Sequence, residues 1–238
     1  MNKVSVVIPT YEEEKYIERC LKSLTNQTLS REHYEIIVVD ANSKDKTVEI
    51  ARKYADKVII QKSSGVGGAR NDGAKIARSE IIATTDADAI LPKHWLERIV
   101  FDFESKDIVA VFGPIIPIEN KFKYNFLLSL FNNLARISAK LKIFYATVGS
   151  NIAFKRDIFL KIGGFGEMLA GDDYEIAFRL RKQGAIYYDP KLYVYFSMRR
   201  MEKFGLLYSL YLWTINTLAT KLKLHKKIKI KNYVQQKY

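Results

Sequence analysis

The first half of the chain alternates unbroken apolar runs with stretches whose apolar residues recur every three or four positions. Residues 4–8 form a continuous run (Val4, Val6, Val7 and Ile8 around Ser5), the pattern of a strand buried on both faces. Over residues 12–24 the spacing of Tyr16, Ile17, Cys20, Leu21 and Leu24 predicts a helix. The pattern then predicts strands over 35–40, 58–60 and 81–85. Helices are predicted over about 45–54, 68–77 and 92–103. A βαβαβαβα series implies a parallel sheet with helices on both faces. Ligands of such sheets sit outside the carboxyl ends of the strands. Thr10-Tyr11-Glu12, Asp40 and Asp86-Ala87-Asp88 are therefore expected around one crevice.

Beyond residues 109–113 the rhythm changes. Residues 120–143 predict a long helix rich in Phe, Leu and Lys, and 146–155 look strand-like. Residues 171–183 predict a helix with Gly184 as its stop. Residues 187–196 look extended, and 204–222 helical again. With no internal repeat or linker, the reading is one α/β domain over residues 1–200 and a basic helical extension over 201–238.

Composition agrees with a folded enzyme-sized domain: 48% of residues are hydrophobic and 13% aromatic, enough for a core. Cys20 is the only cysteine, which excludes an internal disulfide and suits a reducing compartment. The first apolar run is too short for the core of a signal peptide, so a cytoplasmic protein is expected. Charge divides the chain. Residues 1–120 carry 17 Lys/Arg against 19 Asp/Glu, whereas residues 121–238 carry 22 against 7. That asymmetry points to an acidic partner for the second half, or to a solubility tail.

Strand-end carboxylates carry the candidate chemistry. Asp86 and Asp88 follow a buried strand with one small residue between them, a spacing that can turn both toward one ligand. Magnesium and manganese take oxygen ligands, often one or two carboxylates plus substrate phosphates. The other reading is a solvated loop leading into the next helix. Asp40 ends a second apolar strand, where a carboxylate can accept hydrogen bonds from a ribose or a base edge. Asp45 suits the cap of the following helix. Residues 65–73, Gly-Val-Gly-Gly-Ala-Arg-Asn-Asp-Gly, open a helix where anions are favoured, and Arg70 would suit a diphosphate. Their spacing is neither that of a dinucleotide fingerprint nor that of a P-loop. Asp172 and Asp173 stand at a predicted helix start, where the helix dipole already accounts for acids; the alternative is a general base. His33, His94 and His225 lack metal-ligand spacing, Cys20 lies on an inward stripe, and no serine sits in a Gly-x-Ser-x-Gly context.

Taken in order, these stretches resemble family 2 glycosyltransferases, which have the GT-A fold. Val6-Val7-Ile8-Pro9-Thr10-Tyr11-Glu12-Glu13 is similar to that family's V-V-I-P-x-Y-N-E, with Glu12 where Asn is commoner. Val38-Val39-Asp40-Ala41-Asn42-Ser43-Lys44-Asp45-Lys46-Thr47 resembles V-V-D-D-G-S-x-D-x-T, with Ala41 for the second Asp. Gly68-Ala69-Arg70-Asn71-Asp72-Gly73 resembles G-x-A-R-N-x-G, and Asp86-Ala87-Asp88 the D-x-D motif. Gly149-Ser150-Asn151-Ile152-Ala153-Phe154 and Gly163-Gly164-Phe165 resemble two further stretches, and Asp172-Asp173 stands where the family has E-D. The resemblance implies that Pro9, Thr10, Tyr11, Glu12 and Asp40 line a nucleotide pocket, with Ser150 and Asn151 among the substrate contacts. Arg70 and Asp86 would meet the donor's ribose and diphosphate, Asp88 a manganese or magnesium ion, and Asp173, beside Asp172, would be the base of an inverting transfer. The donor would be a UDP- or GDP-sugar. The processive members' Q-x-x-R-W is absent, which implies one sugar per event. In place of a His common near the domain's end stand Ser197-Met198-Arg199-Arg200, where Arg199 or Arg200 could hold phosphate.

The apolar residues among 206–219 are too few to span a bilayer, but with the lysines after them they suit a helix lying on an anionic membrane surface. Residues 122–143 offer a second such helix, with Phe126, Leu127, Leu130, Phe131 and Leu134 on one side. Both could instead pack on the sheet or join subunits. The expectation is peripheral attachment at the inner face of the cell membrane, with a lipid-linked acceptor. Two other classes were weighed. A basic membrane- or nucleic-acid-binding protein with a decayed site conflicts with intact Asp40, Asp86, Asp88 and Asp173, and no nucleic-acid motif is visible. A nucleotidyltransferase would carry a Gly-rich loop where Pro9-Thr10-Tyr11-Glu12 stands.

Overall fold

The computed structural model describes residues 2–143, 145–166, 171–205 and 208. In chain order the elements are β1 (Val4–Thr10), α1 (Ile17–Thr25), β2 (Tyr34–Asp40), α2 (Thr47–Ala51), β3 (Lys57–Ile60), α3 (Gly65–Ile76), β4 (Ile81–Thr84) and α4 (Trp95–Ser105). There follow β5 (Ala110–Phe112), β6 (Ile115–Pro117), α5 (Phe122–Lys140), β7 (Ile152–Lys155), α6 (Arg156–Lys161), α7 (Asp172–Leu180), β8 (Ile186–Tyr188), β9 (Val194–Phe196) and α8 (Arg199–Phe204).

The expected α/β layering is present. Seven strands form one sheet in the order β3-β2-β1-β4-β7-β5-β8. Its first four strands are parallel, with β1 paired to both β2 and β4. The unbroken apolar run of β1 serves two layers at once. Val4, Val6 and Ile8 join the core with α1 and α4, while Val7 joins the opposite core with α3 and α7. A Cβ at Gly73 would lie 2.3 Å from Val7 Cγ1, so only glycine lets α3 lie this close to β1. The carboxyl ends of β1, β2 and β4 thereby lie side by side, with Thr10 opposite Asp40 in the register.

The second half departs from the simple alternation. Strand β7 inserts between β4 and β5 and runs antiparallel to both. Only 152–155 of the strand-like stretch pair; 146–151 form a loop at the sheet end. The extended stretch 187–196 divides between two sheets, because a turn closed by Leu192 N on Asp189 O separates β8 from β9, which pairs with β6. Helix α1 starts at residue 17 rather than 12. The backbone N–H groups of Glu12, Glu13 and Glu14 donate instead to Ser43 Oγ, Thr47 Oγ1 and Asp45 Oδ2, which ties the loop after β1 to the loop after β2. The expected boundary at residue 200 falls inside α8, which stops at Gly205 (φ 83). Of the helix expected over 204–222, Phe204 is instead the last residue of α8; the remainder beyond Gly205 and the basic tail lie outside the described residues, Tyr208 apart. Among the described residues no helix is long and apolar enough to cross a membrane.

Candidate functional site

Two guanidinium groups organise the carboxylates at the sheet's carboxyl edge. Arg70 projects from α3 and is only 4% exposed. Its Nη2 donates to Asp86 Oδ1 at 2.9 Å, and Nη1 lies 3.3 Å from Asp173 Oδ1 and 3.6 Å from Asp172 Oδ2. Phe165 covers the guanidinium, with its ring centroid 5.4 Å away. Gly149 presses its backbone on the same group, since a Cβ there would lie 2.2 Å from Arg70 Nη1. One cation thus gathers three carboxylates from the β4 loop and the start of α7, which stand 86 residues apart in sequence or more from Asp86 to Asp172. Burial opposes the charge on Arg70, but Asp86, Asp173 and Asp172 more than offset it and hold the group firmly protonated.

Asp173 sits in the strongest field. Burial, and then the neighbouring Asp172, push its carboxyl up to about 7, with Arg70 pulling the other way. A quarter of its side chain still reaches solvent (25%). Its backbone carbonyl accepts from Thr147 Oγ1, which fixes the start of α7 to the loop before β7. Asp172 is also raised, chiefly by burial.

The second group is Arg199, the first residue of α8. Its Nε donates to Asp88 Oδ2 at 2.7 Å and its Nη2 to Glu13 Oε1 at 2.5 Å, with the Tyr16 ring centroid 4.3 Å from the guanidinium. Burial pushes Glu13 up to about 7 against the pull of Arg199, and Asp88 is raised by the same cause. Glu13 was missed as a site residue by sequence reasoning. Its only signal was its place at the end of the opening motif, and its partner lies 186 residues away.

The pocket residues expected near the first two strands divide. Thr10, Tyr11 and Glu12 lie at the end of β1, with Pro9 half-buried just before. Glu12 (φ 52) and Asn42 (φ 65) hold left-handed backbone on the two facing loops, a strained conformation that clusters at binding sites. Asp40 is closed to solvent: its carboxylate accepts from Thr10 Oγ1, Ser43 N and Ser43 Oγ. It lies in the floor of the crevice, fixed by these three donors. Asn151 is buried as well. Its amide donates to Pro114 O and Leu192 O and accepts from Trp95 Nε1, tying β7 to its surroundings with no atom left over. Arg70 is not held out to a diphosphate; its reach is taken up by the three acids. Ser150 is buried, and Arg200 is half-buried beside Arg199.

Glu13 Oε2, Arg70 Nε, Ser150 Oγ and Asp172 Oδ2 are buried without a hydrogen-bond partner. Buried polar atoms are normally paired, so these four are open to a further polar partner. For a divalent cation the donor set is suitable: Asp88 and the unpartnered oxygen of Glu13 share one cluster, and such ions need only one or two carboxylates beside phosphate oxygens. No group of three or more His, Cys, Asp or Glu side chains among the described residues forms a metal cage without a substrate.

The sequence profile of glycosyl transferase family 2 matches residues 5–163. The chain belongs to that family. Among curated relatives, a poly(ribitol-phosphate) beta-glucosyltransferase of Bacillus spizizenii is 45% identical over 103 residues, covering 40% of this chain and 16% of that protein. A glucosyl-dolichyl phosphate glucuronosyltransferase of Haloferax volcanii is 32% identical over 179 residues, covering 68% of this chain and 56% of the relative. The chain thus spans well under two thirds of these relatives' length. Among solved structures, the mannosyltransferase PcManGT from Pyrobaculum calidifontis, in complex with GDP-Man and Mn2+, shares the fold with a TM-score of 0.72 at 22% identity, over 93% of this chain and 64% of that one. Staphylococcus aureus TarS 1-349 in complex with UDP-GlcNAc does so with a TM-score of 0.67 at 22% identity, over 83% and 59%. The family 2 chain described here therefore has a GT-A-like fold.

Proposed function

We propose that this chain is an inverting transferase that moves one sugar from a nucleoside diphosphate sugar to an acceptor hydroxyl, within the domain spanning residues 1–200. The carrying observation is the convergence of Asp86, Asp172 and Asp173 on Arg70 at the carboxyl ends of the strands, with Asp173 held to about 7.

A carboxyl group poised near neutrality suits a general base. Asp173 takes the proton of the acceptor hydroxyl as that oxygen forms its bond to the sugar's anomeric carbon. The bond from that carbon to the diphosphate oxygen breaks on the opposite face, and the nucleoside diphosphate leaves with the electron pair. One displacement inverts the configuration. Arg70 keeps Asp173 aimed and lessens the repulsion among the three acids. Pro9, Thr10, Tyr11 and Glu12 border the base and ribose, over a floor stiffened by Asp40 and Ser43.

Asp88 and Glu13 would hold a manganese or magnesium ion, which supplies positive charge against the leaving diphosphate. Arg199 donates to both of these acids and, with the neighbouring Arg200, would exchange them for phosphate oxygens of the donor. The relatives' names leave the sugar open, while UDP-GlcNAc and GDP-Man in the two structural neighbours make uridine and guanosine the bases to try first.

A donor panel tests the reading. UDP- and GDP-sugars are titrated with manganese and with magnesium while the melting temperature is followed. One donor class is expected to raise it by several degrees, and only with a divalent ion. A flat response across the whole panel rejects the proposal.

A further inference from the structure

Helix α5 has two apolar faces. Tyr124, Leu128, Ala135 and Ala139 are buried against the domain. On the opposite side Phe122, Phe126, Leu130, Leu134, Ile137 and the adjoining Leu141 recur every three or four residues, each between 50 and 84% exposed. The Phe122 and Phe126 rings stack on each other at 6.3 Å. Scattered exposed apolar residues are ordinary, but a continuous stripe along a 19-residue helix is an interaction surface. Its charges indicate the occupant. Lys121, Lys123, Arg136, Lys140 and Lys142 lie along it, and no acid occurs between Glu119 and Asp157.

We propose that this stripe docks on an anionic lipid bilayer, with α5 lying in the interface. A second copy of the chain is disfavoured, because a two-fold contact would bring two strongly basic surfaces together, the pairing of Lys121 with Glu202 apart. The chain's own tail is disfavoured for the same reason, as it carries no acid after Glu202. Anionic headgroups supply the missing charge, and the acyl boundary takes the large side chains.

The docking also orients the site. Past the end of α5, Ile143 and Tyr145 join Tyr174, Ala177 and Phe178 in lining a shallow surface dent, with Arg181 beside them. Tyr174 directly follows Asp173. The stripe thus continues past α5 into an apolar surface that includes the residue after Asp173, which suits an acceptor carried on a lipid. This acceptor assignment rests on Asp173 being the base; the docking itself does not.

Vesicle flotation of the full chain tests it, with phosphatidylcholine–phosphatidylglycerol vesicles beside pure phosphatidylcholine at low salt. The chain should float with the anionic vesicles only. Phe126→Asp with Leu130→Asp should weaken binding at least about tenfold, since acids replace side chains that would enter the interface. Both positions are exposed, so the melting temperature should hold, and so should any response to UDP or GDP. Leu130→Trp gives a second readout, a blue-shifted emission on anionic vesicles. Three results overturn the proposal: no flotation of the unaltered chain, undiminished flotation of the doubly acidic variant, or a dimer in sedimentation that this variant turns into monomer. Loss of nucleotide response in the unaltered chain, with flotation intact, would instead reject the transferase reading alone.

Discussion

The two arginine-centred clusters are built from the same groups but held differently. Arg70 extends from a 12-residue helix packed under the sheet, and Gly149 and Phe165 close over it. Arg199 begins the six-residue helix α8, with the Tyr16 ring beside its guanidinium. One guanidinium faces three acids, the other two. Arg200 adds its charge to the second cluster, which is anchored by a much shorter helix than α3. On the proposed function, the first cluster would frame the base and the second would supply a counter-ion that exchanges for the donor's diphosphate.

Removing the base breaks the first cluster's chemistry and leaves its structure. Asp173→Asn should lower kcat by roughly 10²- to 10⁴-fold, the usual worth of general-base assistance, with no loss of melting temperature. Arg70→Met attacks the frame instead. Removing one partner from buried ion pairs leaves the acids uncompensated, so urea unfolding should show a loss of about 3–5 kcal/mol. Arg199→Met tests exchangeability. Asp88 and Glu13 lose their internal cation, so free-chain affinity for Mn2+, read by electron paramagnetic resonance, should rise, while the donor KM increases. Equal Mn2+ affinity in both proteins would mean that Arg199 does not stand in the cation's place.

The smallest expected effect concerns pH. Asp173 must be deprotonated to act, and its carboxyl is held near 7, so kcat/KM should climb as pH rises through about 7 and fall below it. Asp172 raises that value while Arg70 lowers it and Asp86 adds to it. Asp172→Asn should therefore move the ascending limb to lower pH. A limb that stays in place would assign the titration to another group.

Much of the crevice was legible in the sequence, because β1, β2 and β4 announce themselves as apolar runs and the ends of β2 and β4 carry Asp40, Asp86 and Asp88. Parallel topology then forces those ends together. The roles within the site were less legible. Asp40 and Asn151 read as ligand contacts, yet their hydrogen bonds turn inward, which depends on partners such as Ser43 and Leu192 fixed only by folding. The pairing of Asp88 with Arg199 spans 111 residues and has no local signature. Strand β7 was legible as a strand but not as antiparallel, since four residues give no sign of which neighbours they will join. The helix start at Ile17 was hidden because the glutamates before it fit a helical period, while their backbone N–H groups find side chains on the next loop.

Calorimetric titration of UDP and GDP into the full chain with Mn2+, repeated on Asp88→Ala, tests the central claim most directly. Saturable heat for one nucleotide that needs the metal, and at least about a tenfold weaker fit in the variant, is the predicted result. Equal binding by the variant, or binding indifferent to metal, would contradict the assignment of Asp88 to a cation against the donor's diphosphate.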